Sequence, residues 1–378
     1  MKRYWTSQAG ARHGVVIMSV AAVGLSLLLG ACGSTSTVTP SAPAETPTAL
    51  STASSTASIL PTPSQTESAT PTPTGLPNGM VYSDLDGMPA SPDLAHRLPL
   101  AIMIDDNRIA RPQSGFSSAS IVYQAFADGG EDRYMLIFQE GTSSDIGPVR
   151  SARPYYVYWA AEYKAMYGHF GGDNKSLLQV IPALSNSIYN MDDLNGGSCP
   201  YHRITARVMP HNAYTNSAAL IGCLARKGYP STYQSLAVRP FEDDLPASQR
   251  PASGTITVPY RTVTVVYQYH ADTNSYLRNV DGKPQIDPAN KQQVVARNII
   301  VLFQALSKDP VDGRPVVANV GSGKALVFKE GNAIKATWKK TSNTDLTRLY
   351  DSSGVEIPLV RGEIFIQSVP IGTAVTYK

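Results

Sequence analysis

The sequence predicts an α+β protein, in which an α/β domain with a mixed sheet precedes a smaller, mostly antiparallel all-β domain. Two observations predict this order. Before about residue 245 short apolar runs alternate with helical patterns, whereas after about residue 254 β-rich runs follow one another between turn residues. These roughly 300 residues exceed the usual size of one domain, so we expect domains at residues 80–245 and 255–378.

The elements of the first domain are predicted from apolar runs and their punctuation. Strands are expected over residues 98–105, 121–127, 134–139 and 165–170, with the second and third joined as a hairpin through Asp128–Glu131. Pro154 suits a first helical turn, and a helix should run from it toward Lys164. A short helix is expected around residues 176–180, and a better-defined one between Asn216 and Lys227-Gly228, where a glycine cap ends it.

The second domain is predicted to be a meander or a small barrel, because neighbouring strands in such a run usually pair as hairpins. The expected strands cover residues 263–269, 294–302, 316–320, 325–329, 333–339, 363–369 and 373–377. Gly321-Ser-Gly-Lys324 lacks the Gly-x4-Gly-Lys frame of a phosphate loop, and a hairpin turn is expected there.

Residues 1–32 have the pattern of a signal peptide with a lipobox. A cationic start (Lys2, Arg3, Arg12) precedes an apolar run over residues 15–29, and Leu-Gly-Ala leads directly into Cys32. A transmembrane anchor is the alternative, but the run is shorter than the roughly 20 residues that a spanning helix needs. We therefore expect a lipid on Cys32 that holds the chain on the outer face of the cytoplasmic membrane, with the folded part extracytoplasmic.

Residues 33–79 are rich in Ser, Thr, Pro and Ala and lack apolar periodicity, so they are expected to be a disordered tether. Processing at Cys32 also removes three basic residues, which leaves 32 − 3 = 29 basic against 29 acidic side chains. A mature chain with no net charge lacks the excess of basic residues that nucleic-acid-binding proteins have. We therefore do not expect nucleic acid as a partner. Cys199 and Cys223 then remain in an oxidising compartment, either as a disulfide or as two free thiols.

Two arginines flank the start of the helix predicted at Pro154. Arg150 and Arg153 could hold a carboxylate or phosphate, because free backbone N–H groups at a helix start and the guanidinium fork both favour anions. The alternative is that they pair with acidic partners such as Asp105, Asp106 or Asp145 and fix a loop.

A second candidate region follows the strand that ends at His169. Gly171 and Gly172 allow close backbone approach at the place where ligands settle in open α/β sheets, and His169 could donate, accept or bind a metal. The alternative is a tight turn with a packed histidine.

A third cluster, from Tyr201 to Tyr214, contains Arg203, His211 and Asn212 and has the polar and aromatic mixture of a pocket. Cys199 and His202 have the spacing of two zinc ligands, but the sequence has no second such pair to complete a zinc site. We therefore predict neither a metal nor another cofactor.

Several of these segments together resemble the YerB-like bacterial lipoprotein family, which is defined by a domain of unknown function. The resemblance spans about residues 80–378 and rests on the following segments: Arg111–Gly115, Gly129-Gly130 with Arg133, Ile146–Pro154, His169–Gly172, Pro210–Tyr214, Asn298–Val301, Gly321–Gly323 and Trp338. It implies a two-domain extracytoplasmic lipoprotein and no established reaction. Asp105-Asp106-Asn107 and Asp173 depart from the family's usual pattern and weaken a purely anion-binding pocket.

These observations favour a cell-envelope protein that binds a small polar or anionic ligand, such as a peptidoglycan fragment. The predicted ligand-binding residues are Arg111, Arg150, Arg153, His169, Gly171, Gly172, Arg203, His211 and Asn212. One alternative is a hydrolase or transferase acting on wall polymers, with His169 or His211 as general base; the sequence names no catalytic residue beyond that, and we lean against an enzyme. The other alternative is a scaffold that recruits envelope proteins.

Overall fold

A computed structural model describes residues 76–192, 194, 201–233 and 236–378. The predicted signal peptide with Cys32, the tether up to residue 75, and Cys199 lie outside the described residues. Among the helices of the described part, none is both long and apolar enough to span a membrane.

Strands outnumber helices in the described part of the chain. The principal strands are β1 (Leu100–Asp105), β2 (Ile121–Phe126), β3 (Asp132–Phe138), β4 (Met166–His169), β5 (Tyr189–Asp192), β6 (Ser253–Pro259), β7 (Thr264–His270), β8 (Ser275–Val280), β9 (Asn298–Gln304), β10 (Gly321–Lys329), β11 (Asn332–Lys340), β12 (Arg348–Tyr350) and β13 (Ile364–Pro370). The α-helices are α1 (Pro92–Ala95), α2 (Pro154–Ala161), α3 (Ile181–Ala183) and α4 (Ser217–Arg226), and a π-helical turn (Ser176–Val180) precedes α3.

Shorter elements complete the described chain. Short strands pair as Val81–Tyr82 with Pro89–Ala90, His202–Arg203 with Ala213–Tyr214, Phe241–Glu242 with Leu359–Val360, Ile286–Asp287 with Gln292–Gln293, and Leu306–Lys308 with Pro315–Val317. The 3₁₀ turns are Arg108–Ala110, Phe116–Ser118, Asp128–Gly130 and Ala247–Gln249.

A ten-stranded mixed sheet dominates the fold, in the order β12-β11-β10-β9-β13-β2-β3-β1-β4-β5. The hairpin predicted between β2 and β3 is confirmed, and β1 lies antiparallel to β3 and parallel to β4. The second sheet is antiparallel and contains the meander β6-β7-β8 together with the short strands Lys283–Pro284, Val295–Ala296 and Thr376–Tyr377. The predicted fold class, a mixed sheet followed by a strand-rich antiparallel region, is confirmed.

The C-terminal strands are arranged differently from the predicted meander or barrel. Strand β13 pairs in parallel with both β9 and β2, so strands from the two parts of the chain share one sheet. Both β9 and β13 are apolar and buried along nearly their whole length, and a strand buried on both faces belongs in the middle of a sheet. The central position of these strands therefore follows from their composition.

Two further expectations about the C-terminal strands were wrong. The single strand expected over residues 294–302 is divided, because Val295–Ala296 pairs with β8 whereas β9 begins at Asn298 in the other sheet. The turn expected at Gly321–Lys324 is the start of β10, where Gly321 pairs with Lys340. A Cβ atom on Gly323 would lie only 2.6 Å from the indole Nε1 of Trp338, so this glycine makes room for a packed side chain rather than for a turn.

The large sheet is covered on both faces by apolar side chains. On one face Leu100 and Ile102 of β1 pack in a core shared with the second sheet and α4. On the other face Ala101 and Met103 pack in a core shared with α2, whose Trp159 is fully buried. Adjacent residues of a strand point to opposite faces, so each central strand contributes to both cores. Because both faces of the sheet are buried, the strand ends of β1, β4 and β5 are held in place at one edge of the sheet.

Candidate functional site

The carboxyl ends of the parallel strands β1, β4 and β5 meet at one edge of the large sheet. Asp105, His169 and Asp192 are the last residues of these strands. A segment that starts at Ile146 crosses this edge, since the amide of Asp105 donates to the carbonyl of Pro148 at 2.9 Å. In open α/β sheets ligands bind at this kind of edge.

Backbone hydrogen bonds fix the crossing segment and bring a second loop to it. The amide of Arg150 donates to the carbonyl of Met103 at 3.0 Å, and the carbonyl of Arg150 accepts from the amide of Phe170 at 3.0 Å, so Arg150 lies between the ends of β1 and β4. The amide of Val149 donates to the carbonyl of Ala213 at 2.6 Å. Two distant motifs, Ile146–Pro154 and Pro210–Tyr214, are therefore adjacent in space.

His211 and Asp105 form a buried pair at this place. The distance from His211 Nδ1 to Asp105 Oδ2 is 2.6 Å, and the other carboxylate oxygen accepts from the amide of Asn107 at 3.1 Å. Because a carboxylate oxygen accepts, Nδ1 of His211 donates in this contact, and Nε2 lies on the far side of the ring. The His211 side chain is 11 % exposed, so solvent or a ligand can reach part of it.

One arginine contacts this pair, and a second contacts Asn212, the residue that follows His211. Nε of Arg150 lies 3.3 Å from Asp105 Oδ2, and the two side chains form an ion pair. This Nε makes no hydrogen bond within the described part of the chain. The exposed Arg203 donates from Nη1 to Asn212 Oδ1 at 2.6 Å, and its guanidinium carbon lies 4.6 Å from the centre of the Phe170 ring. We call Asp105, Arg150, Arg203, His211 and Asn212 the His211 cluster.

Asn212 holds the loop and Arg203 together. Its Nδ2 donates to the carbonyls of Ile204 at 3.0 Å and Arg207 at 3.1 Å, which leaves Oδ1 directed at Arg203. Within the described chain no carboxylate makes an ion pair with Arg203. The guanidinium of Arg203 is therefore positioned by the Phe170 ring and by the Asn212 amide, and several of its N–H groups can still donate to a ligand.

Arg153, in contrast, is committed to carboxylates of the protein. Its Nε donates to Asp128 Oδ1 at 3.0 Å, its Nη2 pairs with Asp128 Oδ2, and its Nη1 lies 3.7 Å from Asp173 Oδ2. The side chain is only 6 % exposed. Burial, with repulsion from Arg153 and Arg150, lowers the pKa of the neighbouring Arg133 to about 10. Arg153 therefore pairs with acids of the protein, as in the loop-fixing alternative, but the acids are Asp128 and Asp173 rather than those suggested by the sequence. Arg153 is not part of the His211 cluster.

His169 is a packed histidine at a tight turn. It is fully buried, with Nδ1 at 2.8 Å from the carbonyl of Gly171 and Nε2 at 2.7 Å from Asn190 Oδ1. Gly171 has φ +69°, and its amide donates to Asp192 Oδ1 at 2.8 Å. A Cβ on Gly172 would meet Leu177 at 3.0 Å. Both ring nitrogens of His169 thus have hydrogen-bond partners in the protein, and the double glycine forms the turn.

Arg111 lies away from the His211 cluster. It donates from Nε to Asp106 Oδ1 at 3.0 Å and from Nη1 to Asp281 Oδ2 at 3.0 Å. The sequence showed Asp105 and Asp106 as adjacent acids but did not show that their side chains have different partners. Asp105 contacts His211, whereas Asp106 contacts Arg111 and Gln113. The alternation of side chains along an extended chain is the signal that separates them.

Cys223 is disulfide-bonded, and it is buried on the inner side of α4. Cys199 lies outside the described residues, so its pairing with Cys223 stays a prediction.

Comparison with known proteins decides the family. Two family models, described as the N-terminal and C-terminal domains of a protein of unknown function (DUF3048), match residues 85–230 and 256–366. The chain belongs to the DUF3048 family. Membership confirms the resemblance seen in the sequence, and both candidate arginines of the His211 cluster lie within the match to the N-terminal DUF3048 domain.

A DUF3048 relative is known from Bacillus subtilis, both as a sequence and as a solved structure. The chain is 29 % identical over 293 residues to a protein named "Putative lipoprotein YerB" from strain 168, covering 76 % of this chain and 85 % of that protein. The crystal structure of the Bacillus subtilis YerB protein matches with a TM-score of 0.71 and 26 % identity, covering 79 % of this chain and 99 % of that one. The chain is therefore homologous to YerB and shares its fold.

Proposed function

We propose that this protein is a lipid-anchored lipoprotein, held by Cys32 outside the cytoplasmic membrane, whose His211 cluster binds a small polar or anionic ligand of the cell envelope. A peptidoglycan fragment has this chemistry. The name of the YerB relative supports the lipoprotein part of the proposal. The observation that carries the ligand part is that Asp105 contacts both His211 and Arg150, while Arg203 is held by Asn212, the residue that follows His211.

The charges of the cluster favour an anion. Two arginines against one aspartate give these charged groups a net charge of 2 − 1 = +1. Arg203 is fixed by Asn212 and by the Phe170 ring, so less side-chain entropy is lost when it pairs with a ligand. A planar guanidinium can hold a carboxylate or phosphate by two parallel hydrogen bonds. A wall peptide would supply a carboxylate for this contact, and a sugar phosphate would supply a phosphate.

Thermal unfolding of the full-length chain in detergent, with muropeptides, sugar phosphates and simple anions, tests this proposal. At about a hundred times the dissociation constant, a ligand should stabilise the fold by roughly 2.7 kcal/mol. We expect a shift in melting temperature that Arg203→Gln abolishes and that Arg226→Gln, an exposed arginine at the end of α4, retains. Equal shifts in both variants, or no shift with any compound, would contradict the proposal.

One observation favours a second candidate, a hydrolase or transferase acting on wall polymers. The 2.6 Å contact between His211 Nδ1 and Asp105 orients the ring and leaves Nε2 as a base, which is the arrangement that general-base histidines use. Incubating the full-length chain with purified wall polymer and analysing the soluble products tests this candidate. Release of fragments that His211→Gln stops, with ligand binding retained, would favour the enzyme over a binding protein.

A further inference from the structure

Two loops beside the His211 cluster, residues 108–112 and 202–212, expose large apolar side chains. Ile109 in the first loop is 54 % exposed, and Val208 and Met209 in the second are 69 % and 68 % exposed. Each of these loops also carries two arginines, so we call them the arginine loops. Apolar side chains that are grouped at a surface and rimmed by polar residues mark contacts with a protein or a membrane.

Hydrogen bonds join the two arginine loops and fix their backbones. Arg207 donates from Nη1 to the carbonyl of Ala110 at 2.6 Å and from Nη2 to the carbonyl of Pro112 at 2.7 Å. The amide of His211 donates to the carbonyl of Val208 at 3.0 Å, which closes the turn that carries the apolar side chains. The two loops therefore form one braced surface, and their apolar side chains are held in contact with solvent.

The arginine loops also carry an excess of positive charge. They contain four arginines and no aspartate or glutamate. One of the four, Arg111, is neutralised by ion pairs with two aspartates outside the loops. The other three, Arg108, Arg203 and Arg207, make no ion pair with any carboxylate of the described chain. Their charges are available to an anionic partner.

Acids near the arginine loops do not cancel this charge at the surface. Glu131 and Asp145 lie beside the loops and make no ion pair within the described residues. Both are half-buried, whereas Arg108 and Arg203 are exposed. Three unpaired arginines against two unpaired acids leave a net charge of 3 − 2 = +1, and the exposed charges are the positive ones.

The length of the chain before the fold favours a membrane as the partner. Between Cys32 and Leu76, the first described residue, there are 76 − 32 = 44 positions. At about 3.3 Å for each position, this segment spans at most about 145 Å. A lipid on Cys32 therefore keeps the bilayer at a high effective concentration around the folded part, so even a weak second contact is populated. Apolar side chains flanked by arginines suit the surface of an anionic bilayer.

We propose that the arginine loops dock on an anionic membrane surface, as a second contact besides the lipid on Cys32. The three apolar side chains enter the boundary between headgroups and acyl chains, and the three unpaired arginines meet lipid phosphates. This contact rests on the anchoring proposed at Cys32 and does not require ligand binding. Because His211 follows Met209 by two positions, docking holds the His211 cluster beside the bilayer.

Tryptophan fluorescence of the full-length lipoprotein tests the proposal, after purification from bacterial membranes and reconstitution into vesicles of equal parts phosphatidylglycerol and phosphatidylcholine. Met209→Trp supplies the probe. Val355→Trp is the matched control, because Val355 is 62 % exposed in the turn after β12, at the far end of the large sheet from β1, β4 and β5. The native Trp159 and Trp338 are buried, and the wild-type chain gives their background.

Lipids brominated on their acyl chains quench an indole that reaches those chains. We expect them to quench Met209→Trp and not Val355→Trp. Equal quenching of the two variants would refute docking through this surface. A Met209→Trp chain that stays on the vesicles unquenched, but whose emission shifts when envelope proteins are added, would assign the surface to a protein partner and refute the membrane contact. A chain that leaves the vesicles altogether would refute the anchoring at Cys32 instead.

The role of the arginines is tested by adding Arg108→Gln to Met209→Trp. Each arginine near an anionic surface contributes about 1 kcal/mol, so the docking equilibrium constant, measured from the quenched fraction, should fall about 5-fold. Adding Lys335→Gln, an exposed lysine on β11, is the charge-matched control and should leave the quenching unchanged. Arg108 makes no side-chain contact with a polar group of the described chain, so its variant keeps the fold. Quenching that is independent of Arg108 and of phosphatidylglycerol would overturn the electrostatic part of the docking.

Discussion

The ion pair between Glu162 and Lys340 gives the sharpest test of how the two parts of the chain are held together. Glu162 follows α2 and Lys340 ends β11, and both side chains are 0 % exposed with Nζ at 2.7 Å from Oε1. Glu162 also accepts from Thr347, through its amide at 3.1 Å and its hydroxyl at 2.8 Å. We propose to remove each charge separately, by Glu162→Gln and Lys340→Met, and then both together.

The expected magnitude follows from this burial. Removing one partner of a fully buried ion pair costs about 3–5 kcal/mol because the remaining charge loses its partner. Arg239 Nη2 lies 3.9 Å from Glu162 Oε2, so Lys340→Met should fall at the lower end of this range. For a fold of about 300 residues, 4 kcal/mol corresponds to a fall in melting temperature of roughly 6 °C. Replacing both charges removes the uncompensated charge, so the double variant should be less destabilised than the sum of the singles, by roughly 1–3 kcal/mol.

The pH dependence of Glu162→Gln supplies a second readout. Burial lowers the pKa of Lys340, and the loss of Glu162 lowers it further. Between the lowered pKa of the folded state and the ordinary pKa of lysine, the unfolded lysine binds more protons than the folded one, so the free energy of unfolding of Glu162→Gln should rise with pH in that interval.

Urea unfolding of the full-length chain, followed by tryptophan fluorescence, measures all four proteins. Lys335→Met is the control on the same strand, because Lys335 is exposed and its replacement should change the free energy of unfolding by less than about 0.5 kcal/mol. Strict additivity of the single variants, or a cost below about 1 kcal/mol for Lys340→Met, would refute the argument that this pair couples the two parts.

Three further predictions concern other places in the chain. Cys32→Ser should shift the protein from the membrane fraction to the medium in cells; retention in the membrane would contradict lipidation at Cys32. Burial and the nearby Asp106 raise the pKa of Asp132 well above its usual value, so ionised Asp132 costs stability at neutral pH. Between the folded pKa and about 4, the free energy of unfolding of the wild type should therefore rise relative to Asp132→Asn as pH falls, by up to about 1.4 kcal/mol per pH unit; a difference between urea unfolding curves that is independent of pH would contradict this. Gly171→Ala should destabilise by about 1–2 kcal/mol because φ is +69°, whereas Gly172→Ala should cost less, since its nearest neighbour is the flexible end of Leu177; equal thermal shifts would count against this difference.

Local patterns were sufficient for many elements. Strand β1 was predicted because its apolar residues form a short continuous run, and all six of its residues are buried. Helix α4 was predicted from its start and stop signals. Asn216 caps it by accepting from the amide of Ala219 at 2.8 Å, and Gly228 ends it with φ +67°. In both cases the information lies within a few residues of the element.

Elements and contacts that depend on distant segments were not predicted. Strands β6 and β8 have mixed polarity and were missed, and they are strands because each pairs with β7 on one side. The composition of β13 favours a central position, but nothing local specifies its partners, which are β9, 364 − 298 = 66 positions earlier, and β2, 364 − 121 = 243 positions earlier. Pairing partners of this kind are selected by burial in the finished fold.

The candidate site shows the same division. The sequence alone named Arg150 as a candidate because it precedes a predicted helix start. It named Arg203, His211 and Asn212 because they lie in a polar and aromatic segment. Only the tertiary structure decided which of them act together. It joined His211 to Asp105 across 106 positions of the chain, and it committed Arg153 to Asp128. The physical reason is that side-chain identity is local, whereas the choice between a ligand and a protein partner for each charge depends on which groups burial brings within hydrogen-bond distance.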